Sequence, residues 1–294
     1  MRRARILFIR FAGVFLISAV LLSACGPTYP KGKLVESIQK LFKKEVGTDR
    51  VTSAMVGRTL YVSFPIENLV TTDLDLPRDV IDKLENAMLS VTRIALSTDE
   101  NIEFTVLEAK DNAWGVQTTL IRRIEDLKFM YYWKISKQDF DERFILETRR
   151  FHPGEKEPAA WRELTLPEFM ARWVAFRISF GSRANPFLGI LLGAEKVTAD
   201  YDSKKRVLTL LVEGSETLKP LPASPVSVEL LRTSIFEQMN KVETKYLSRL
   251  ADPKDWAGVL VVKNTKGEVL FQAEREEWKE ANKKKQKKIP RAVN

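Results

Sequence analysis

The sequence has one cysteine, Cys25, and one histidine, His152, among its 294 residues. A single cysteine excludes an intramolecular disulfide and any cysteine-cluster metal site. A single histidine excludes His-rich zinc motifs and makes any Ser-His-Asp triad depend on one residue. The chain also has no Walker loop, G-x-G-x-x-G, G-x-S-x-G, H-E-x-x-H or EF-hand motif. The sequence therefore predicts no cofactor and no metal, and it favours a protein that is not an enzyme.

Paired acidic residues are the remaining candidates for catalysis, because acid-base and glycoside chemistry need two carboxylates that face a common site. The pairs are Asp73 with Asp75, Asp99 with Glu100, and Asp139 with Asp141. Such pairs arise easily in a chain with 39 acidic residues, so solvated turns are the favoured interpretation. His152 precedes a proline in a stretch that we interpret as a linker, which argues against a catalytic or metal role.

Positive charge is concentrated at the two ends of the chain. Of the net charge of +9, four charges lie in residues 1–24 and six in residues 283–294, so residues 25–282 carry −1. A nucleic-acid-binding domain needs a basic face on the fold itself. The near-neutral body therefore predicts no specific nucleic-acid partner. With 44% apolar residues, the chain is long enough for one large or two ordinary domains.

The amino terminus has the pattern of a secretory signal. Residues 1–10 are short and basic, and residues 11–22 form an apolar stretch of signal-peptide length. A transmembrane helix needs about 20 apolar residues, which this segment reaches only by placing Arg10 in the hydrocarbon. The apolar stretch ends in Leu22-Ser23-Ala24-Cys25, which closely resembles the lipobox of bacterial lipoproteins.

The resemblance to the lipobox implies a lipid anchor on Cys25. The cysteine thiol would receive a diacylglyceryl group, and the lipoprotein signal peptidase would cut between Ala24 and Cys25. Acyl chains contribute about 0.8 kcal/mol per buried methylene, so two or three chains hold a protein on a membrane. Gly26 rather than aspartate follows the cysteine, which favours the outer membrane over the inner membrane. The alternatives are an ordinary signal peptide with a free cysteine and an uncleaved amino-terminal helix.

Residues 25–32 are predicted to form a lipidated tether, because they include two prolines and two glycines. Residues 33–46 follow, with apolar side chains at helical spacing and lysines elsewhere, which predicts an amphipathic helix. We expect its apolar face to pack on the domain behind it. The alternative is a helix that lies on lipid headgroups.

A weak internal repeat predicts two similar units. Strand-like runs begin at Arg58 and Arg206, and helical patterns begin at Pro77 and Pro225, so both are offset by 148 residues. Each helix precedes a predicted β-hairpin. Only four of the 40 aligned residues in 58–97 and 206–245 are identical, so chance recurrence stays an alternative. The predicted fold class is α+β, with two αββαββ-type units that contain antiparallel sheets.

The predicted domain organisation follows from these patterns. Residues 1–24 form the signal peptide, 25–32 the tether, 33–150 the first α+β unit, 151–164 a linker, 165–280 the second unit and 281–294 a disordered basic tail. The second unit is expected to begin with a helix whose capping box is Thr165 with Glu168. Residues 128–148 are interpreted as added strands of the first unit.

Three consecutive aromatic residues, Tyr131, Tyr132 and Trp133, lie within these added strands. Alternation along a strand would place Tyr131 and Trp133 on the same face, which favours packing in a core. The alternative is an exposed stacking platform for a sugar or a peptide. The basic run of residues 283–291 is expected to be solvated, and its functional interpretation is attachment to an anionic surface.

These observations together predict a membrane-anchored lipoprotein of the bacterial cell envelope that acts as a binding or scaffolding component. The expected contacts are the membrane, through lipid on Cys25, and a protein partner in the envelope. The expected location is the outer membrane, with the folded part facing the periplasm. Two alternative functions stay open. One is an enzyme that acts on an envelope polymer through a carboxylate pair, and the other is polyanion binding through the basic tail.

Overall fold

The computed structural model describes residues 28–70, 76–151, 161–184, 194–214, 225–250 and 252–288. Within these residues the chain is a mixed α+β protein with seven α-helices and two sheets, of five and four strands. It divides into two compact units. Unit 1 consists of the chain up to Lys134 together with Thr148–Arg162. Unit 2 consists of Ile135–Glu147 together with the chain from Glu163 onward.

Unit 1 has one helix before each of its two β-hairpins and one helix after the second. The helices are α1 Leu34–Leu41, which continues as a π-helical turn Phe42–Val46, α2 Arg78–Leu96 and α3 Ile124–Tyr131. The strands are β1 Thr52–Val56, β2 Thr59–Pro65, β3 Phe104–Asp111 and β4 Val116–Arg123. A fifth strand, β5 Ile145–Arg150, lies beside β4, and the division between the units falls within it.

The sheet of unit 1 has the strand order β1-β2-β3-β4-β5. β1 pairs with β2, and β3 with β4, in antiparallel hairpins, but β2 and β3 are parallel, with Thr59 opposite Phe104. The parallel pair follows from α2, because a helical crossover returns the chain to the end of the sheet where the preceding strand began. The prediction of antiparallel sheets is therefore wrong for this central pair.

The first helix packs on the sheet of unit 1, as the sequence predicts. Its buried residues are Leu34, Ile38 and, in the π-helical turn, Phe42. The Phe42 ring meets the Phe64 ring of β2 edge to face, with 5.4 Å between the centroids. The apolar face is thus occupied by the core, and the alternative of a helix lying with this face on lipid does not apply.

Unit 2 repeats the alternation of helices and strand pairs. Its elements are the short α4 Lys137–Asp141, α5 Leu166–Ala184, β6 Ala194–Asp202, β7 Val207–Gly214, α6 Pro225–Tyr246, β8 Val259–Asn264, β9 Val269–Glu274 and α7 Arg275–Lys288. The sheet order is β6-β7-β8-β9. The outer pairs are antiparallel, whereas β7 and β8, which α6 connects, are parallel, with Val207 opposite Val259. Here too the central pair departs from the predicted antiparallel arrangement.

The predicted capping box begins α5. The Thr165 N–H donates to the Glu168 carboxylate at 2.9 Å, and the Glu168 N–H donates to the Thr165 hydroxyl at 3.4 Å. Phe169 and Trp173 further along the helix are fully buried. The Phe169 ring meets the Tyr246 ring of α6 edge to face, with 5.7 Å between the centroids. The capping box therefore fixes the start of a helix whose apolar side belongs to the core.

Two segments differ from their predictions. Residues 128–148 hold the end of α3, the short helix α4 and the start of β5, rather than a set of added strands. Residues 281–288, predicted to begin a disordered tail, are the last turns of α7. That helix is fixed by the buried Trp278, whose Nε1 donates to the Glu243 carboxylate at 3.0 Å. Lysine and glutamine are good helix formers, so the helix continues beyond this contact.

Candidate functional site

The helix after β4 leads into three consecutive exposed aromatic residues of unit 1. At its start, the Ile124 N–H donates to the backbone carbonyl of Glu103 at 2.9 Å, which turns the chain out of the sheet. Glu125 and Asp126 lie in the first turn of α3, where acidic side chains interact favourably with the helix dipole. Ile124 and Leu127 are buried and hold the helix on the unit. This local sequence forms a helix even though it follows directly on a strand.

α3 ends in a Schellman motif whose left-handed residue is Trp133. The Lys134 N–H donates to the Phe129 carbonyl at 2.8 Å, and the Trp133 N–H donates to the Met130 carbonyl at 3.1 Å. The φ of Trp133 is +57°, a conformation for which glycine is the usual residue at this position. A residue with a Cβ costs about 1 kcal/mol there. Helix termination by itself therefore does not account for a tryptophan at this position.

The Schellman motif exposes three aromatic side chains, which we call the aromatic patch: Tyr131, Tyr132 and Trp133. Their exposed fractions rise along the chain, from 57% through 72% to 93%. The prediction that these residues pack in a core is wrong, because the segment is a helix end and the alternation of a strand does not apply. The geometry agrees with the alternative interpretation, an exposed aromatic platform.

Positive charge accompanies the aromatic patch. Lys128 and Lys134 are both exposed. The Lys134 ammonium lies 5.3 Å from the centroid of the Phe129 ring, which is a cation-π distance. Residues 127–134 contain two lysines and no acidic or amide side chain. The patch is therefore an aromatic and cationic surface.

Trp114 is a second exposed tryptophan of unit 1, and it lies on the turn between β3 and β4, where it is 57% exposed. The Asp111 carboxylate accepts hydrogen bonds from the N–H groups of Ala113 at 3.0 Å and Trp114 at 3.1 Å. Gly115, with a φ of +60°, takes the left-handed position of this turn. Trp114 is thus exposed without backbone strain, which makes it a suitable reference for Trp133.

The carboxylates of one predicted pair, Asp139 and Asp141, are engaged in ion pairs within unit 2. Asp139 is 2.6 Å from the nitrogens of both Arg143 and Lys245, and Asp141 is 2.6 Å from Lys137. Burial acts to raise the pKa of Asp139, but the hydrogen bonds from Arg143 and Lys245 outweigh it and hold this pKa below its ordinary value. Asp139 therefore stays ionised and joins α4 to α6.

A second predicted pair, Asp99 with Glu100, binds the start of the described chain. The Lys31 N–H donates to the Asp99 carboxylate at 2.6 Å, and the Lys31 ammonium lies 2.8 Å from the Glu100 carboxylate. Asp73, Asp75 and His152 lie outside the described residues. In the part of the chain that is described, no group of three or more His, Cys, Asp or Glu side chains could hold a metal ion.

The described chain is attached to unit 1 from its first residues onward. The Tyr29 N–H donates to the Ser97 carbonyl at 3.2 Å, and Tyr29 forms a β-bridge with Thr98 just after α2. Cys25, the predicted lipid attachment site, lies outside the described residues. It precedes Tyr29 by four residues, so the covalent chain keeps the two residues within about 14 Å of each other. Any lipid on Cys25 would therefore be close to unit 1.

The comparisons with known proteins identify no relative. No protein-family model, no curated protein and no solved structure matches this chain. Among the described helices, none combines the length and the apolar character that crossing a membrane requires. The class that the structure defines is a mixed α+β protein with two separate sheets and an exposed aromatic site on its first unit.

Proposed function

We propose that this protein is a lipid-anchored component of the bacterial cell envelope that binds a partner and catalyses no reaction. Lipid on Cys25 holds it on the outer membrane, with the folded units in the periplasm. The lipobox Leu22-Ser23-Ala24-Cys25 supports the anchor. The attachment of Tyr29 to unit 1 supports a folded body that begins at the membrane surface.

The observation that carries the binding role is the aromatic patch. Trp133 is 93% exposed, so it contributes little to core packing, and its left-handed backbone costs free energy. Exposed tryptophan and tyrosine side chains are typical of the residues that contribute most to binding energy. The ion pairs of Asp139 and Asp141 support a structural role for this carboxylate pair, which favours binding over the alternative of an enzyme.

The anchor is tested by labelling bacteria that produce the full chain with radioactive palmitate. The wild-type protein is expected to carry the label and to fractionate with membranes. The Cys25→Ala variant should carry no label and should keep residues 1–24, which intact mass measurement detects. Ser23→Ala is the matched control, because it preserves a small residue in the lipobox and should be labelled like the wild type. A labelled Cys25→Ala protein would overturn the proposed anchor.

We further propose that the two units are repeats of one αββαββ-type unit. The Arg58 carbonyl accepts the two N–H groups that lead into β3, at 2.8 and 3.2 Å, and the Arg206 carbonyl accepts the two that lead into β8, at 2.9 and 3.3 Å. In unit 1 the first N–H of α3 donates to the carbonyl of Glu103, the residue before β3, at 2.9 Å. In unit 2 the first N–H of α7 donates to the carbonyl of Gly258, the residue before β8, at 3.0 Å. These shared main-chain bonds support the offset of 148 residues between Arg58 and Arg206.

α7 favours a second candidate function, which is binding of a polyanion. Because α7 continues to Lys288, the basic run begins as part of a helix that Trp278 fixes on unit 2. Deletion of residues 283–294 tests this function. The shortened protein should fold, because Trp278 precedes the deletion, and it should lose salt-sensitive binding to heparin. Unchanged heparin binding would exclude this function.

A further inference from the structure

We infer that the aromatic patch binds the interfacial region of an anionic phospholipid bilayer, on the same membrane that the lipid of Cys25 enters. This inference rests on the proposed function, because the anchor is what brings unit 1 to the membrane. It assigns a partner to the patch: a lipid surface, rather than a sugar or a protein. The patch is then a second membrane contact, separate from the covalent anchor.

The side chains of the patch have the chemistry of a membrane interface. Indole and phenol rings leave water readily, while their N–H and O–H groups keep hydrogen bonds to headgroups and water, so Trp and Tyr are enriched at this depth. Exposure rises from Tyr131 to Trp133, which is 93% exposed, and the outermost ring is the indole. The main-chain hydrogen bonds of the Schellman motif hold these side chains on a defined turn.

The charge of the segment fits an anionic surface. Lys128 and Lys134 are exposed beside the aromatic rings, and residues 127–134 carry these two positive charges and no negative charge. Each basic residue near an anionic membrane adds to binding, and lysine stems can lie along apolar material while the ammonium stays at headgroup level. The segment offers a sugar no carboxylate or amide side chain, which are groups that commonly hydrogen-bond to sugar hydroxyls, so its composition favours the lipid surface.

The position of the anchor supports this partner. Tyr29 is attached to unit 1 at Ser97 and Thr98. Glu103 follows Thr98 by five residues, and its carbonyl accepts the first N–H of α3. The attachment point of the tether and the start of α3 thus belong to the same end of the sheet, where β3 begins. α3 has eight residues, so it extends about 12 Å from there to the patch. Lipid on Cys25 would therefore hold the end of unit 1 from which α3 starts close to a membrane.

The test uses the acylated full-length mature protein, reconstituted into vesicles of phosphatidylethanolamine and phosphatidylglycerol with brominated acyl chains. Bromine quenches tryptophan fluorescence only at short range, so it reports rings that enter the bilayer. Trp133→Phe removes the outermost indole but keeps an aromatic ring. Trp114→Phe is the matched control, because Trp114 is the exposed tryptophan on the β3–β4 turn. Thermal melting of each variant checks that it is folded.

The inference predicts that bromine quenches the wild type and the Trp114→Phe variant, and that the quenched fraction falls by more than half in the Trp133→Phe variant. Equal quenching in the wild type and the Trp133→Phe variant overturns the inference. A protein or glycan partner for the patch would give this second outcome, since the vesicles contain only lipid. Replacement of phosphatidylglycerol by phosphatidylcholine should weaken the quenching that depends on Trp133, and equal quenching in both vesicles would overturn the assignment to an anionic surface.

Flotation of the vesicles separates a failure of this inference from a failure of the anchor. An anchored protein floats with the vesicles whether or not its patch touches them, so flotation without quenching rejects the patch alone. A protein that does not float contradicts both the anchor and the affinity of the patch.

Discussion

Trp133 has an unfavourable backbone conformation, and its exposed side chain does not offset this cost by packing within unit 1. Its φ of +57° suits glycine, and alanine shares the unfavourable Cβ of tryptophan. We therefore expect Trp133→Gly to exceed Trp133→Ala in free energy of unfolding by about 1 kcal/mol, measured by urea denaturation.

Tyr132 provides the control for this comparison, because its φ is −90° and its neighbour takes the left-handed position. At Tyr132 glycine should give no gain over alanine. Equal stability of the Gly and Ala variants at position 133 would show that backbone strain does not affect the stability of unit 1. Backbone strain of this kind is often found at binding sites, so a gain at position 133 would agree with a binding role for Trp133.

Because the pKa of Asp139 is lowered, we expect its contribution to the stability of unit 2 to change with pH only under acid conditions. Asp139→Asn weakens the contacts with Arg143 and Lys245, and it should lower the free energy of unfolding of unit 2 by about 2 kcal/mol near neutral pH. The folded pKa of Asp139 is lowered, so its contribution is complete above the unfolded pKa of about 3.9 and decreases as the pH falls through the folded value. The difference between the wild type and the variant should therefore begin to shrink below about pH 4 and disappear only at still lower pH.

Asp141 is the matched control for Asp139. Its pair with Lys137 is exposed and spaced as i,i+4, so Asp141→Asn should change the free energy of unfolding by about 0.5 kcal/mol or less. Urea denaturation of both variants at several pH values makes the comparison. A difference between the wild type and Asp139→Asn that stays constant down to strongly acid pH would contradict the role assigned to the Asp139 carboxylate.

At the scale of secondary structure, elements with a complete local signal could be predicted from the sequence. The helix after Pro77 and the capping box of Thr165 and Glu168 are found as expected, because period and capping are encoded within a few residues. The first helix is also found, because its apolar face alternates with lysines.

The elements that the sequence did not reveal depend on contacts or connections beyond the segment. The aromatic run at 131–133 resembles a strand, and only the acidic first turn of Glu125 and Asp126 indicates a helix. The left-handed residue carries no signal, because tryptophan stands where glycine is usual. The parallel central pairs follow from the order of helices and strands, so topology rather than composition would have revealed them.

The capping box of α5 gives a prediction at the scale of an element. Thr165→Ala removes the hydroxyl that accepts the Glu168 N–H, and it should lower the free energy of unfolding of unit 2 by about 1 kcal/mol. Thr165→Ser keeps a hydroxyl and should stay close to the wild type in the same urea titration. If serine and alanine were equally destabilising, packing of the threonine methyl group, and not the cap, would be the cause.

At the scale of the whole molecule, the distribution of charge and the short predicted tether both bear on how the protein would attach to a membrane. The body of residues 25–282 carries a net charge of −1, so its overall charge provides no attraction to an anionic membrane. In the proposed function, attachment would depend on the lipid of Cys25 and on local contacts such as the aromatic patch. Two linked contacts of this kind act together, because the first raises the effective concentration of the second.

The length of the tether is therefore predicted to control contact between the patch and the membrane. Insertion of a long Gly-Ser segment between Gly26 and Pro27 lets unit 1 move away from the surface, and the effective concentration of the patch falls as the linker lengthens. We expect this protein to float with vesicles as the wild type does, but to show weaker Trp133-dependent quenching by brominated lipid. The same segment added after Asn294 is the control and should change neither measurement. Unchanged quenching with the long tether would mean that the patch holds the membrane through its own affinity, and it would contradict the cooperation between anchor and patch.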